Sequence, residues 1–366
     1  MKPIAIFAYD FPHRKTHDFL VDLVSYGFKN LRVLGAPRKD LGALSKPQMA
    51  SGPIQVFRPL PTAELCNNLG LTYMALDHRD ALQIGRLVLE EEISLGIISG
   101  ARILSADIIS LFSQGIVNFH PGKIPETSGL DAFSYMIMRG ATAGVTTHFV
   151  DHRVDAGRLV RFNELPIHSD DTPAIVQENV YQLQRMALRE LANDIEQGSF
   201  PQWQIDRPFK NAPMKEPERQ AALALFPLWK ANRLIAQRQR SFFHACEIGD
   251  IAAVASELKM DPALVSVSNE KGWTPLIVAC FHQRIEVVKA LLEAGADPNR
   301  CAAKGTTPLM YAKTKSLHQT SDYRLLKLLI ESGADCKRTD GAGMTVLEYV
   351  EQAGDAHLAA FLREHI

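Results

Sequence analysis

Three side chains in two short segments have the types needed to move an acyl group onto an amine. They are Asn118 and His120 in Asn118-Phe119-His120-Pro121-Gly122, and Asp155 in Val154-Asp155-Ala156-Gly157. An amine attacking an acyl carbon builds negative charge on oxygen and positive charge on nitrogen. A donor must meet the oxygen, a base must take the amine proton, and a third group must hold the base. An amide donates as an oxyanion site requires. An imidazole donates when protonated and accepts when neutral. A carboxylate can orient the imidazole and receive the proton, directly or through water. Taken alone, Asn-x-His also suits a polar strand end, and Asp155 an ordinary turn.

The elements that must carry these groups are legible around them. Ile116–His120 reads as a short buried strand ending in polar groups, and Gly144–Val150 as a β-branched strand running into the turn Asp151–Asp155. Upstream, Pro3–Ala8, Leu31–Gly35, Ile54–Phe57 and Leu95–Gly100 have strand patterns. Lys15–Gly27 and Ala81–Glu92 have helical apolar spacing. This alternation predicts an α/β domain of Rossmann-like type, with a mostly parallel sheet covered by helices, over residues 1–168. Reactive groups in such sheets collect where strands give way to loops.

The cap-rich run Asp170-Asp171-Thr172-Pro173 predicts a long helix over about Ala174–Glu196, ending before Gly198. Its apolar residues (Ile175, Val176, Val180, Leu183, Met186, Leu188 and Leu191) nearly encircle it, so a second side must be buried, and a partner subunit would serve. Residues 169–235 are read as this helix, a hairpin and a connector, with no clear period after 199, and as the interface of a homodimer.

The order and spacing of Asn118-Phe119-His120, Lys123-Ile124-Pro125-Glu126-Thr127-Ser128-Gly129, Gly144-Val145-Thr146 and Asp155-Ala156-Gly157 resemble the core of the folate-dependent formyltransferases. The resemblance covers roughly residues 1–165. It departs at Ala156, where Thr is usual, and at Ser128, where Arg is frequent. It implies that Asn118, His120 and Asp155 carry catalysis, and that the formyl donor is N10-formyltetrahydrofolate, a reduced folate. It further implies that Gly100, Ala101, Arg102, Ile103 and Leu104 form the loop holding the pterin, with Gly100 allowing close backbone approach and Ile103 and Leu104 walling the ring. The turn containing Asp151 would close the other side.

Bulk composition narrows the substrate. The 366 residues carry a net charge of −1 with 46% hydrophobic residues. Residues 241–366 sum to about −3, leaving about +2 for the rest, so neither part has the basic excess of a phosphate-backbone binder. Nucleic acid, including tRNA, is disfavoured. Five cysteines without a Cys-x-x-Cys pair argue against a disulfide framework or zinc site and for a reducing cytoplasm. His13 and His17 have helical spacing but lack the carboxylate or cysteine companion of a metal site, and His148 and His152, four apart across a strand and turn, would not share a face. No apolar run is long enough to span a bilayer, and none reads as a signal peptide, so a cytoplasmic protein without metal or membrane contact is expected.

Residues 236–366 repeat. Gly272-Trp273-Thr274-Pro275-Leu276 returns 33 residues later as Gly305-Thr306-Thr307-Pro308-Leu309, and degenerates at Gly343-Met344-Thr345-Val346-Leu347. Leu291–Asp297 returns as Leu329–Asp335. Period and signature resemble ankyrin repeats, an all-α stack, with Phe242–Asp261 and Ala342–Ile366 as its caps. A formyltransferase core followed by an ankyrin stack resembles the nucleotide-sugar N-formyltransferases that act on dTDP-3-amino-3,6-dideoxyhexoses, of galacto or gluco configuration, for bacterial O-antigen. Such a substrate needs cations for its pyrophosphate, and Arg14, Lys15, His78-Arg79 and Lys123 are the candidates. Trp273, at a repeat tip with Arg300 and Lys304 nearby, could stack on a second nucleotide or simply pack between loops. The alternatives are a formyltransferase for a C4-amino nucleotide sugar and a non-enzymatic ankyrin interaction protein.

Overall fold

The computed structural model describes residues 2–37, 59–101, 103–151, 157–204, 211–314 and 322–365. The strand expected at Ile54–Phe57 lies outside these residues. The chain divides into two units, residues 1–234 and 235–366.

In the first unit β1 (Ile4–Tyr9), α1 (Arg14–Ser25), β2 (Leu31–Ala36), α2 (Thr62–Leu69), β3 (Thr72–Ala75), α3 (Ala81–Glu90), β4 (Leu95–Ile98), α4 (Ala106–Ser110) and β5 (Gly115–His120) alternate as the pattern predicts. α5 (Ala132–Met138), β6 (Gly144–Phe149), β7 (Arg158–Glu164), α6 (Pro173–Gln197) and β8 (Trp203–Gln204) follow. The sheet order is β3-β2-β1-β4-β5-β6-β7-β8. The strands from β1 to β5 are parallel, and β6, β7 and β8 each pair antiparallel. The order reverses between β1 and β4, which is where ligands settle in open sheets of this kind.

The pleat sends alternate residues of β5 to opposite faces. Val117 and Phe119 join a core with Phe19 and Leu20 of α1, Val145 and Phe149 of β6, and Val176, Leu188 and Leu191 of α6. Ile116 joins the opposite layer with Phe7, Ile84, Ile108 and Phe112. Asn118 and His120 share that second face.

Thr172 caps α6 by accepting from the Ile175 amide, Pro173 opens the helix, and Gly198 closes it at φ 68°. Val176, Val180, Leu183, Leu188 and Leu191 are buried in this unit's own core, whereas Ile175 and Met186 stay 42% and 62% exposed. Most of the apolar girth that suggested a second partner is therefore absorbed within the chain. Arg185 clasps Asp22 through two bonds of 2.7 Å, and Arg14 clasps Glu178 at 2.6 and 2.8 Å, so charged pairs join α1 to α6. Residues 216–248, read as part of an aperiodic connector and the start of the repeats, form α7 (Glu216–Ala224) and α8 (Phe226–Ile248). Trp229 of α8 is buried and donates to Ala141 O at 2.9 Å.

The second unit is helical. It contains α9 (Ile251–Met260), α10 (Pro275–Phe281), α11 (Ile285–Glu293), α12 (Pro308–Lys313), α13 (Arg324–Glu331), α14 (Val346–Gln352) and α15 (Ala356–Arg363). The repeated threonines are N-caps: Thr274, Thr307 and Thr345 accept from the amides of Ile277, Met310 and Glu348. Its core runs from Phe242 through Leu276, Leu309 and Val346 to Leu362. Among the described residues, no helix is long and apolar enough to cross a membrane.

Candidate active site

Asn118 and His120 stand two residues apart on one face of the end of β5. Across the antiparallel ladder Asn118 pairs with His148 and His120 with Thr146. Asn118 Nδ2 lies 3.3 Å from His148 Nε2, and His148 Nδ1 lies 3.3 Å from Phe149 O. A carbonyl only accepts, so His148 carries its proton on Nδ1 and takes an amide hydrogen of Asn118 on Nε2. His148 is fully buried, which makes it a fixed orienter of the Asn118 amide. His120 is 3% exposed, with Nε2 at 2.9 Å from Thr127 O and 3.1 Å from Thr127 Oγ1. Thr146 Oγ1 donates to Gly122 O at 2.6 Å and accepts from Ile124 N at 3.2 Å, tying the loop after β5 to β6. Asp155 and Arg102 lie outside the described residues. Asp151 follows Val150, whose amide donates to Ile116 O at 2.8 Å, so the chain leaves β6 beside the start of β5.

Sequence reasoning gave His148 no role beyond a rejected metal pair, and read Thr127 only as part of a motif. Each acts on a partner that the strand register or a loop return brings close, and neither relation shows in a linear pattern. His148 opposite Asn118 could have been found had the antiparallel register been known.

At the β1–β4 switch, the Ser99 and Gly100 amides both donate to Phe7 O at 3.0 Å, and Tyr9 Oη donates to Ala101 O at 3.0 Å. The close approach that requires Gly100 comes from the protein itself. A Cβ there would stand 2.8 Å from the Tyr9 ring and 3.0 Å from His13 Nδ1. Ile103 is 70% exposed, whereas Leu104 is 6% exposed within the core and supports the loop from beneath instead of walling a ring. The braced backbone and the bare Ile103 side chain are compatible with a flat heterocycle lying on this loop. Tyr9 stacks on Phe11 at 4.8 Å and meets His13 edge-on at 5.1 Å. His13 caps α1, its Nδ1 accepting from the Thr16 amide. Burial, helped by the Lys15 charge, lowers its pKa to about 4, so it is neutral at physiological pH.

The cations expected at a pyrophosphate are dispersed. Arg14 commits its terminal nitrogens to Glu178 and lies 4.1 Å over the Tyr181 ring. That pairing, led by the hydrogen bond itself, raises the Arg14 pKa and lowers that of Glu178. His78 is a core histidine, 1% exposed, bonded to Leu34 O at 2.9 Å and edge-on to Phe7. Arg79 lies by Asp77 and Asp80 in an open hollow of about 490 Å³. Lys15 Nζ reaches Phe119 O at 3.3 Å, which puts it next to the strand that bears Asn118 and His120. Lys123, just past His120, makes only a 3.6 Å pair with Glu126 and is 44% exposed. Of the candidates, Lys15 and Lys123 are the two beside Asn118 and His120. Among the described residues no cluster of His, Cys, Asp or Glu could hold a metal ion.

In the second unit Trp273 packs against Tyr311 at 4.8 Å and Phe281 at 5.3 Å. It also borders a hollow of about 360 Å³ with Arg240, Phe243, His244, Lys271 and His282. Arg300 instead reaches back to Ser266 O at 2.6 Å, fastening one repeat loop to the previous one.

Comparison with known proteins agrees with both halves. Residues 44–191 match the formyl transferase family, and residues 242–340 match ankyrin repeats in three copies. A methionyl-tRNA formyltransferase of Halothermothrix orenii is 25% identical over 161 residues, 43% of this chain and 51% of that protein. A phosphoribosylglycinamide formyltransferase of Bacillus subtilis is 26% identical over 102 residues, 28% of this chain and 52% of that protein. The chain thus spans about half the length of these relatives. A Mycobacterium tuberculosis structure described as a "likely sugar N-formyltransferase" has a TM-score of 0.41 at 21% identity, over 59% of this chain and 77% of that one. Residues 44–191 thus resemble a formyl transferase, and residues 242–340, behind them in sequence, resemble ankyrin repeats.

Proposed function

We propose that this protein transfers a formyl group from N10-formyltetrahydrofolate to the amino group of a dTDP-3-amino-3,6-dideoxyhexose. The observation that carries the reading is the pairing of the Asn118 amide and the His120 ring on one face at the end of β5, each held by a buried partner. Residues 100–104 would hold the reduced folate, which when bound supplies the formyl group. The Asn118 amide, with one hydrogen taken by His148, has its second hydrogen for the carbonyl oxygen on which negative charge gathers. His120 accepts the amine proton or, if already protonated, adds a second donor. Asp155 is assigned the final acceptance of that proton from His120, directly or through water. Lys15 and Lys123 are the nearest cations for a diphosphate. The near-neutral charge favours a small anionic substrate over tRNA, and the pairing of this domain with ankyrin repeats supports a nucleotide sugar.

Incubation with N10-formyltetrahydrofolate and a panel of dTDP- and UDP-linked amino sugars tests this: one acceptor should gain the mass of a single formyl group. A panel with no formylated member would overturn the proposal, and formylation of a C4 amine alone would transfer it to that class. Arg240 and Lys271 on the rim of the Trp273 hollow, where Glu247 faces His244 and His282, support a second nucleotide there. Trp273→Ala should lower the number of dTDP-sugar sites found by titration. A homodimer through residues 170–215, with Ile175, Met186 and Trp203 as its exposed apolar contacts, completes the reading, and light scattering of the full chain decides it.

A further inference from the structure

We infer that Thr127 sets which nitrogen of His120 keeps its hydrogen, so that proton exchange at the site runs through Nδ1 alone. The kinetic part of this inference rests on the formyl-transfer reading above; the rest stands on hydrogen-bond geometry. His120 Nε2 lies 2.9 Å from Thr127 O and 3.1 Å from Thr127 Oγ1. A carbonyl oxygen only accepts, so Nε2 must carry a hydrogen. The Thr127 hydroxyl has a single proton, and it goes to Lys123 O at 2.9 Å. Thr127 Oγ1 therefore also meets Nε2 as an acceptor.

Two acceptors of one residue thus converge on one N–H, with His120 3% and Thr127 0% exposed. Moving the proton to Nδ1 would set an unprotonated nitrogen against both oxygens where water does not reach, and that penalty selects the tautomer. The neighbourhood is built for this return of the chain. Gly122 has no side chain, and a Cβ there would stand 2.2 Å from Thr127 Oγ1. The Thr127 amide bonds Lys123 O at 2.9 Å, and Thr146, opposite His120 in the ladder, holds Gly122 and Ile124.

When Nδ1 gains a proton, positive charge spreads to the Nε2–H and both bonds to Thr127 strengthen. That gain is realised only as charge develops on the ring, so it acts on kcat and not on KM. Thr127 is a positioning residue that works through His120.

The test combines ring nitrogen-15 NMR of the full chain, without substrates, with steady-state formyl transfer by the parent, Thr127→Val and Thr127→Ser. The neutral His120 ring should read as the Nε2–H form. Thr127→Val, which keeps the shape and loses the hydroxyl, should lower kcat about tenfold with both KM values within about twofold, and Thr127→Ser should stay within about threefold of the parent. A neutral ring protonated on Nδ1 overturns the inference whether or not the chain transfers formyl groups. A Thr127→Val protein with the parent kcat, or with only KM altered, overturns it too. If the parent formylates no amine, the proposed function fails, while the ring spectrum still decides the tautomer.

Discussion

On the proposed reading, removing the Asn118 amide takes away a donor to developing charge, while its neighbours Val117 and Phe119 keep their packing on the other face. Asn118→Ala should lower kcat by about 10²–10³, the usual loss for one oxyanion donor, and should also lower the melting temperature, because the buried His148 Nε2 loses its partner. Gly122→Ala tests the loop return. Its methyl would collide with Thr127 Oγ1 at 2.2 Å, so kcat should fall by about tenfold or more, and more than in Thr127→Val. His13 gives a stability prediction. Its folded pKa of about 4 lies below the ordinary 6.5, so as pH falls the unfolded chain takes up the proton first. Stability is full above about 6.5, falls through the window down to about 4, and is about 2 kcal/mol lower at pH 5 than at pH 7 from this group. In His13→Asn, which can still cap α1, denaturant midpoints at the two pH values should differ by correspondingly less. At this scale the sequence displayed Asn118 and His120 because their types and spacing are chemical. It hid His148 and Thr127, whose task is to hold another side chain and whose types alone suggest nothing.

Between elements, the α1–α6 clasp is the feature most open to measurement. Asp22 is 7% exposed and receives both bonds from Arg185. Arg185→Met would leave that carboxylate buried without its cation, and should lower unfolding free energy by about 2 kcal/mol while the active-site spectra stay unchanged. Elements with one buried face or strong caps were legible: β5, β6 and α6 lie within a residue or two of the positions that patterning predicts. β3 was not, because a four-residue strand at the sheet edge with no buried side chain has no alternation to read. β7 was hidden by Arg158, Arg161 and Glu164, whose charges mask its single buried Val160. α8 was missed because its buried residues gather at its two ends, Phe226 and Trp229 in one core and Phe242, Ala245 and Cys246 in the other, and leave Leu228 and Ile235 exposed between them, so no regular stripe runs along it.

For the whole molecule, the two units have separate cores, and the division between them falls inside α8. A chain ending at residue 248 keeps α8 intact together with Asn118, His120 and the Gly100 loop. It should transfer formyl groups with a kcat within about threefold of the full protein. A loss far beyond that would mean that the repeats take part in the chemistry. The repeat unit announced itself through period and caps, since each repeat must present the same threonine to the same helix start. The first unit announced itself through four separated segments, while β7 and the two-residue β8 on its antiparallel side gave weaker signals.

The alternation along β5 links folding to chemistry. Slip that strand by one position and the amide and imidazole would be forced into oil while two hydrophobes faced the reacting groups. A misregistered copy is therefore not a sluggish catalyst but an unstable one, removed by unfolding before it could act. Substitutions in this strand should consequently fall into two classes by the face they alter: a folded protein with damaged chemistry, or no soluble protein at all.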